Sequence, residues 1–170
     1  TDFDLSQHSE FSGKKLEYFD PQSQERYIPY VIETSIGLDR CIMMTLSDAY
    51  HEEEVKGEKR TVLKLHPKLA PVTVGIFPLT KKPELAEVAL KLKEELNDLF
   101  KVEYDVKGSI GKRYRRLDEA GTPYCLTVDF DTLEDQCVTL RDRDSMEQKR
   151  ISLSEVGGYI NKAIANYKRV

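Results

Sequence analysis

Two segments of the chain carry side chains whose types and spacing could do chemistry on an anion. In Glu33-Thr34-Ser35-Ile36-Gly37-Leu38-Asp39-Arg40, a strand would deliver Glu33 and Ser35 on one face by its two-residue alternation. A glycine turn would then open a helix with Arg40 in its first turn. A cation near the positive end of a helix dipole gains nothing for helix stability, so the placement suits an anion to be bound, and a triphosphate fits. The plainer alternative pairs Arg40 with Asp39 or Glu33. In Arg141-Asp142-Arg143-Asp144, the same alternation puts both arginines on one face and both aspartates on the other. Arginines held by neighbouring carboxylates present a fixed fork to a base edge or a phosphate; a surface salt-bridge ladder of little energetic weight is the competing reading.

A third segment, Gly108-Ser109-Ile110-Gly111-Lys112, is not a P-loop. It has two residues between its glycines rather than four, and Arg113 follows the lysine where a hydroxyl is needed. A G-x-x-G loop that clamps a nucleic-acid backbone is literally present, but the surrounding order of elements is not that of a KH module. Helix N-terminal amides beside Lys107, Lys112, Arg113, Arg115 and Arg116 make a phosphate site; a turn into a solvated basic helix is the alternative. Tyr114 and Tyr124 could stack on bases, although tyrosines near sheets more often belong to cores.

Bulk composition leaves room for these readings without announcing them. The 170 residues are 39% hydrophobic and 33% charged, with a net charge of −4, so attraction to phosphate rests on local clusters and not on the total. Cys41, Cys125 and Cys137 lie far apart with no Cys-x-x-Cys. His8, His51 and His66 lack metal-ligand spacing, so no metal site is expected and the thiols read as reduced, in a cytosolic protein. No apolar run approaches the ~18 residues that cross a bilayer, and no membrane association is expected.

The elements that must position these residues follow from periodicity. Residues 1 to 26 read as a hairpin or loop. Tyr27 to Ile32 reads as a buried strand, and Leu38, Ile42, Leu46 and Ala49 form the apolar face of a helix ending near Tyr50. The charged run His51 to Arg60 reads as a solvated loop or linker. Val72 to Phe77 is a strand; a helix opening at Pro83 carries Leu85, Val88, Ala89, Leu92, Leu96 and Leu99 on one face. Val102 to Tyr104 is a short strand and a basic helix runs to about Ala120. Tyr124 to Phe130 and Cys137 to Arg141 are strands joined by the turn DTLED, with an edge strand near Lys149 to Ile151. A capping box, Ser152-x-x-Glu155, opens the last helix, whose stripe is Val156, Ile160, Ala163, Ile164 and Tyr167. The fold class is α/β, a mixed sheet of about five strands with three helices, preceded by a strand–helix remnant.

Several segments taken together resemble a known family. TDFDLSQH, YVIETSIGLDR, RTVLKLHPKLAP, GSIGKRYRRLDEAGTP, TVDFDTLED and TLRDRDSMEQ are similar, in order, to the C-terminal part of glycyl-tRNA synthetases of the dimeric class II type. The resemblance implies that residues 1–60 are the C-terminal remnant of a catalytic domain with its linker, and residues 61–170 an anticodon-binding domain of the kind shared with histidyl, threonyl and prolyl enzymes. Tyr30 to Arg40 looks like class II motif 3. It implies that Arg40 binds the terminal phosphates of ATP and that Glu33 and Ser35 hold the glycine ammonium. For tRNA contact it favours Lys112, Arg113, Arg116, Arg141 and Arg143, with Asp131 and Glu134 as base-edge acceptors.

The implied parent is a cytoplasmic homodimer that charges tRNA(Gly) from glycine and ATP, with Mg2+. Motifs 1 and 2 are not in these 170 residues, so the piece by itself is expected to be a monomer that cannot charge tRNA. The competing reading is a non-catalytic RNA-binding or polymerase-accessory protein on the same domain, as in accessory subunits of mitochondrial DNA polymerase. Glu33, Ser35 and Arg40, all intact, argue against it.

Overall fold

The computed structural model describes residues 1–55 and 57–168, and the chain divides into two compact units, Thr1–Cys41 and Ile42–Val170. In the first, a helix α1 (Phe3–Ser12) is closed by Gly13 in the left-handed region, φ +66°. A hairpin follows, β1 (Tyr18–Asp20) against β2 (Glu25–Tyr27), its turn capped by Asp20, whose carboxylate accepts from the Gln22 amide at 2.9 Å and the Ser23 hydroxyl at 2.9 Å. The hairpin was expected and the helix was not: α1 buries no residue and therefore has no apolar stripe to betray it. The strand expected over Tyr27 to Ile32 stops at Tyr27, and Pro29, which has no N–H to give a ladder, stands in the unpaired stretch. Helix α2 (Leu38–Ala49) forms as its spacing predicts. Of its apolar face, Ala49 is buried, whereas Leu38, Ile42 and Leu46 stay exposed.

The charged run read as a loop is instead a hairpin, β3 (Tyr50–Val55) and β4 (Glu58–Leu63), in antiparallel register from Tyr50↔Leu63 to Val55↔Glu58. Lys56, inside that run, lies outside the described residues. Its inward positions include His51, Glu53 and Val55 on one strand and the buried Arg60 and Val62 on the other. Charge on the inner face hid the alternation.

From there the chain alternates as predicted: β5 (Val74–Pro78), α3 (Pro83–Asn97), β6 (Val102–Tyr104), α4 (Ile110–Ala120), β7 (Tyr124–Val128), then α5 (Asp131–Asp135), β8 (Cys137–Asp142), β9 (Gln148–Ser152) and α6 (Val156–Ala165). DTLED, expected as a turn, is the short helix α5. The expected capping box does not form. The Ser152 hydroxyl meets the Ser154 hydroxyl at 3.0 Å, and a single 3-10 turn, Leu153–Glu155, precedes α6. Leu99 falls past the end of α3 and is exposed.

The five strands lie in the order β6-β5-β7-β8-β9, with β5 parallel to both β6 and β7, and β8 and β9 antiparallel additions. Strand alternation divides the core. Val74, Ile76, Tyr124, Leu126, Val128, Val138 and Leu140 face Leu85, Ala89, Leu92 and Leu96 of α3 and Val156 and Ile160 of α6. Tyr124 is thus core, with its hydroxyl pKa raised by burial. Each such side chain contributes about 1.5–3 kcal/mol on leaving water. On the other sheet face a smaller cluster joins Phe77 and Cys125 to Leu117 of α4. Helix and sheet approach so closely there that a Cβ on Gly75 would stand 2.2 Å from Leu117 Cδ1. A side chain there would force Leu117 to turn aside.

Candidate nucleic-acid interface

In the first unit, Glu33 and Ser35 sit exposed in a stretch without regular structure, so the strand that was to present them on one face is absent. Arg40 does stand in the first turn of α2, exposed, as expected.

In the second unit the arginines expected to meet RNA divide sharply by burial. Arg113 is buried and spent on the backbone: its guanidinium donates to the carbonyls of Pro78 (2.6 Å), Asp105 (3.5 Å) and Gly108 (3.0 and 3.2 Å). Those carbonyls follow or end β5 and β6, so Arg113 ties together the loops at the carboxyl ends of two parallel strands. Its guanidinium thus braces those loops from beneath.

Arg141 and Arg143 do share one face, as alternation predicts, but that face points inward. Arg141 makes a bidentate pair with Asp118 of α4, at 2.8 and 3.0 Å, and its guanidinium lies 4.9 Å from the Tyr114 ring centroid. Burial alone would lower the Arg141 pKa; the Asp118 carboxylate more than offsets it, and the net direction is upward. Tyr114, expected as a possible base stacker, is packed edge-on to Phe77 and hydrogen-bonded to the Thr127 hydroxyl.

Arg60 completes the pairing of Asp118 from the hairpin. Its Nε donates to Asp118 at 3.0 Å, its Nη1 to Glu53 at 2.7 Å and its Nη2 to the Arg143 carbonyl at 2.6 Å, while Lys64 reaches Glu53 at 2.7 Å. Arg143, buried, clasps Asp144 at 2.7 and 2.9 Å and donates to the Gly121 carbonyl at 2.8 Å. Burial is the largest single influence on the Asp144 carboxyl and raises it, but the hydrogen bonds and charge of Arg143, with the Tyr167 hydroxyl and the Lys64 charge, together hold it below its usual range. Both guanidinium groups are buried against carboxylates, so in this fold neither stands at the surface as the exposed fork that the spacing suggested. They lie at the amino-terminal end of β7, where Asp142 pairs with Tyr124, its first residue.

The opposite end of the sheet is where exposed charge gathers. The order β6-β5-β7, with α3 and α4 on opposite faces, is a doubly wound topology whose switch point lies between β5 and β7. Crevices at the carboxyl ends of strands at such a point are where this class of sheet binds ligands. The Leu79 amide there bonds the Val128 carbonyl at 2.8 Å, and Lys82 Nζ sits 4.7 Å from the Phe130 ring centroid, bringing the β5–α3 and β7–α5 loops together. Lys81, Lys107 and Lys112 are exposed; Asp131 and Glu134 stand exposed on α5. No side chain caps the N-terminus of α4 at Ser109. Arg116 is half-exposed and braced by Asp105 and by the Lys107 carbonyl at 2.7 Å. Burial would raise the Asp105 carboxyl, and the Arg116 and Lys107 hydrogen bonds pull it below its ordinary value. Of the expected RNA-contacting residues, then, Lys112, Arg116, Asp131 and Glu134 are available.

Sequence reasoning missed Lys82, Phe130 and Arg150. Arg150 pairs with Thr139 in register, opposite the core face, and holds Asp129 and Asp135. Its signal was the alternation of Gln148 and Arg150 along an edge strand.

The family described as the anticodon binding domain matches residues 73–163. Over 169 residues the chain is 58% identical to the glycine–tRNA ligase of Borreliella afzelii, covering 98% of this chain and 38% of that protein. It is 58% identical over 165 residues to the glycine–tRNA ligase of Corynebacterium efficiens, covering 94% and 36%. The chain therefore spans well under half the length of these relatives. Among solved structures, the prolyl-tRNA synthetase of Cryptosporidium parvum superimposes with a TM-score of 0.58 at 26% identity, over 62% of this chain and 23% of that one.

Proposed function

Because the chain belongs to the anticodon-binding domain family, we propose that it is the anticodon-reading C-terminal part of a glycine–tRNA ligase. The observation that carries the reading is the convergence of loops at the carboxyl ends of β5, β6 and β7. Exposed Lys107 and Lys112 flank the N-terminus of α4 there, Lys82 lies over Phe130, and the buried Arg113 holds the loops in place. Cations and backbone amides attract the phosphates of an anticodon loop, while Asp131 and Glu134 offer acceptors to exocyclic amines of its bases. Arg116 joins them at the rim. Arg113, Arg141 and Arg143 act beneath this surface as supports.

In this reading residues 1–60 are the edge of the catalytic body and residues 61–170 the RNA-reading domain, although Arg60 physically ties the β3–β4 hairpin to the latter. Glu33 and Ser35 have the chemistry to hold an ammonium group, and Arg40 at the first turn of α2 has that to hold the terminal phosphates of ATP, which enters with Mg2+ as a substrate. The whole ligase, a cytoplasmic homodimer, then joins glycine to tRNA(Gly).

Binding of the chain to tRNA(Gly) and to the same tRNA with a substituted anticodon tests the proposal. We expect the cognate tRNA to bind more tightly by about 1–3 kcal/mol per altered base. Equal affinities at matched salt would overturn it.

A further inference from the structure

Arg150 stands beside the surface proposed above to bind RNA, and its role rests on that reading. All of its N–H donors are occupied. Nε donates to Asp135 Oδ2 (3.1 Å), Nη1 to Asp129 Oδ2 (2.8 Å) and Thr139 Oγ1 (3.3 Å), and Nη2 to Asp135 Oδ1 (2.8 Å) and the Cys137 carbonyl (2.9 Å). A guanidinium has five donors in one plane, and here five acceptors meet them. The acceptors are themselves fixed: Asp129 Oδ1 accepts from the Thr132 amide and hydroxyl at 3.0 and 2.9 Å, and Asp135 Oδ1 accepts from the Cys137 amide at 2.8 Å.

Even so, 34% of the Arg150 side chain remains open to solvent. With every edge direction filled, the part of the guanidinium left to a ligand is its flat face. The surroundings select the ligand further. Two carboxylates against one guanidinium leave this cluster negative, the wrong sign for a phosphate. A weakly hydrated planar cation whose edges are taken is suited to stacking on another plane. Nucleobases extruded from an RNA loop stack on such guanidinium planes. The position fits as well: Asp129 and Asp135 bracket α5, which carries Asp131 and Glu134, so the plane lies beside the surface proposed to read bases.

We propose that Arg150 is a stacking platform for one unpaired base of the anticodon loop, clamped by Asp129 and Asp135 so that it offers its plane and withholds its hydrogen bonds. It sets which loop base is held without reading that base's edge.

The test separates plane from charge. Affinity of the whole chain for an anticodon stem-loop of tRNA(Gly) is measured for Arg150→Lys, which keeps charge without the plane, and Arg150→Gln, which keeps a smaller plane without charge. Salt is set high enough to screen the carboxylates. Stacking predicts roughly a tenfold loss for the lysine variant and a smaller loss for the glutamine variant, with the slope of log affinity against log salt unchanged. It also predicts that one abasic position in the loop makes Arg150→Lys silent. A glutamine variant weaker than the lysine variant, a slope reduced by about one, or a loss that persists at every abasic position would overturn the platform. If the unaltered chain binds no RNA, the platform and the anticodon reading fail together. If the unaltered chain discriminates anticodons and Arg150→Lys does not differ from it, the platform alone fails. Thermal unfolding of both variants shows whether either loss comes from misfolding.

Discussion

Arg141 and Asp118 form a buried bidentate ion pair, Nη1–Oδ1 at 2.8 Å and Nη2–Oδ2 at 3.0 Å, that joins β8 to α4 across the face of the sheet. Asp118 also accepts from Arg60. Replacing Asp118 with Ala leaves two guanidinium groups in the interior facing one another. We expect a loss of about 3–5 kcal/mol, read as a lower urea midpoint with an unchanged slope. A loss under about 1 kcal/mol, the range of an exposed pair, contradicts the buried geometry.

Gly75→Ala places a methyl group against Leu117, and overpacking of this kind costs about 1–3 kcal/mol. The added Leu117→Ala change removes the clash, so the double variant loses less than the sum of the single losses. Additive losses in denaturant unfolding would show that the two residues do not collide.

Acid weakens the fold from one side only. The carboxyls of Glu53, Asp105, Asp129 and Asp144 all titrate below their ordinary values: burial is the largest single influence and opposes this, but the hydrogen bonds and charges of Lys64 and Arg60, Arg116, Arg150 and Arg143 respectively, with neighbouring donors, together outweigh it. A carboxyl depressed in the folded state contributes stability that is present above its unfolded value, about 4, and is lost as pH falls through the folded value. The urea midpoint should therefore fall steeply below about pH 4. A midpoint that rises on acidification through that range contradicts these pairings.

Lys112 is exposed in the first turn of α4, and the proposed function gives it a phosphate to meet. Lys112→Ala should weaken cognate and non-cognate tRNA alike and reduce the salt slope by about one. A selective loss against the cognate anticodon would instead make Lys112 a base reader.

Glu33, Ser35 and Arg40 are all solvent-exposed here, whereas stabilising an adenylate-forming transition state needs several charged groups held together away from water. The purified chain should give no glycine-dependent ATP–pyrophosphate exchange. Measurable exchange would mean that these residues assemble a site without the rest of a catalytic body.

Most of the second unit was legible because its apolar residues repeat at the period of the element they form. Val74 to Phe77, the Leu85-Ala89-Leu92-Leu96 stripe and Val156 with Ile160 each name their element and their buried face. The β3–β4 hairpin was not legible, since its inward positions include Glu53 and Arg60, and a buried ion pair carries the same letters as a solvated loop. The same ambiguity misdirected the site. Arg141 and Arg143 have the spacing of exposed readers; Asp144 stands next to Arg143 in the sequence, but only the third dimension supplies Asp118 for Arg141 and the burial of both. Lys112, Asp131 and Glu134 kept their expected exposure, and Arg116 stays half-exposed although Asp105 braces it.

The network running from Lys64 through Glu53 and Arg60 to Asp118 and Arg141 also bears on where such a chain can be cut. Residues 73–163 match the domain family, yet a polypeptide trimmed to that span keeps Asp118 and Arg141 while discarding Arg60. It would expose the flank of α4 that the hairpin shelters and strand half of a charge cluster in its interior. A piece meant to fold alone should therefore begin no later than Tyr50, so deletion series and expression boundaries should treat the hairpin as an integral buttress and not as dispensable linker.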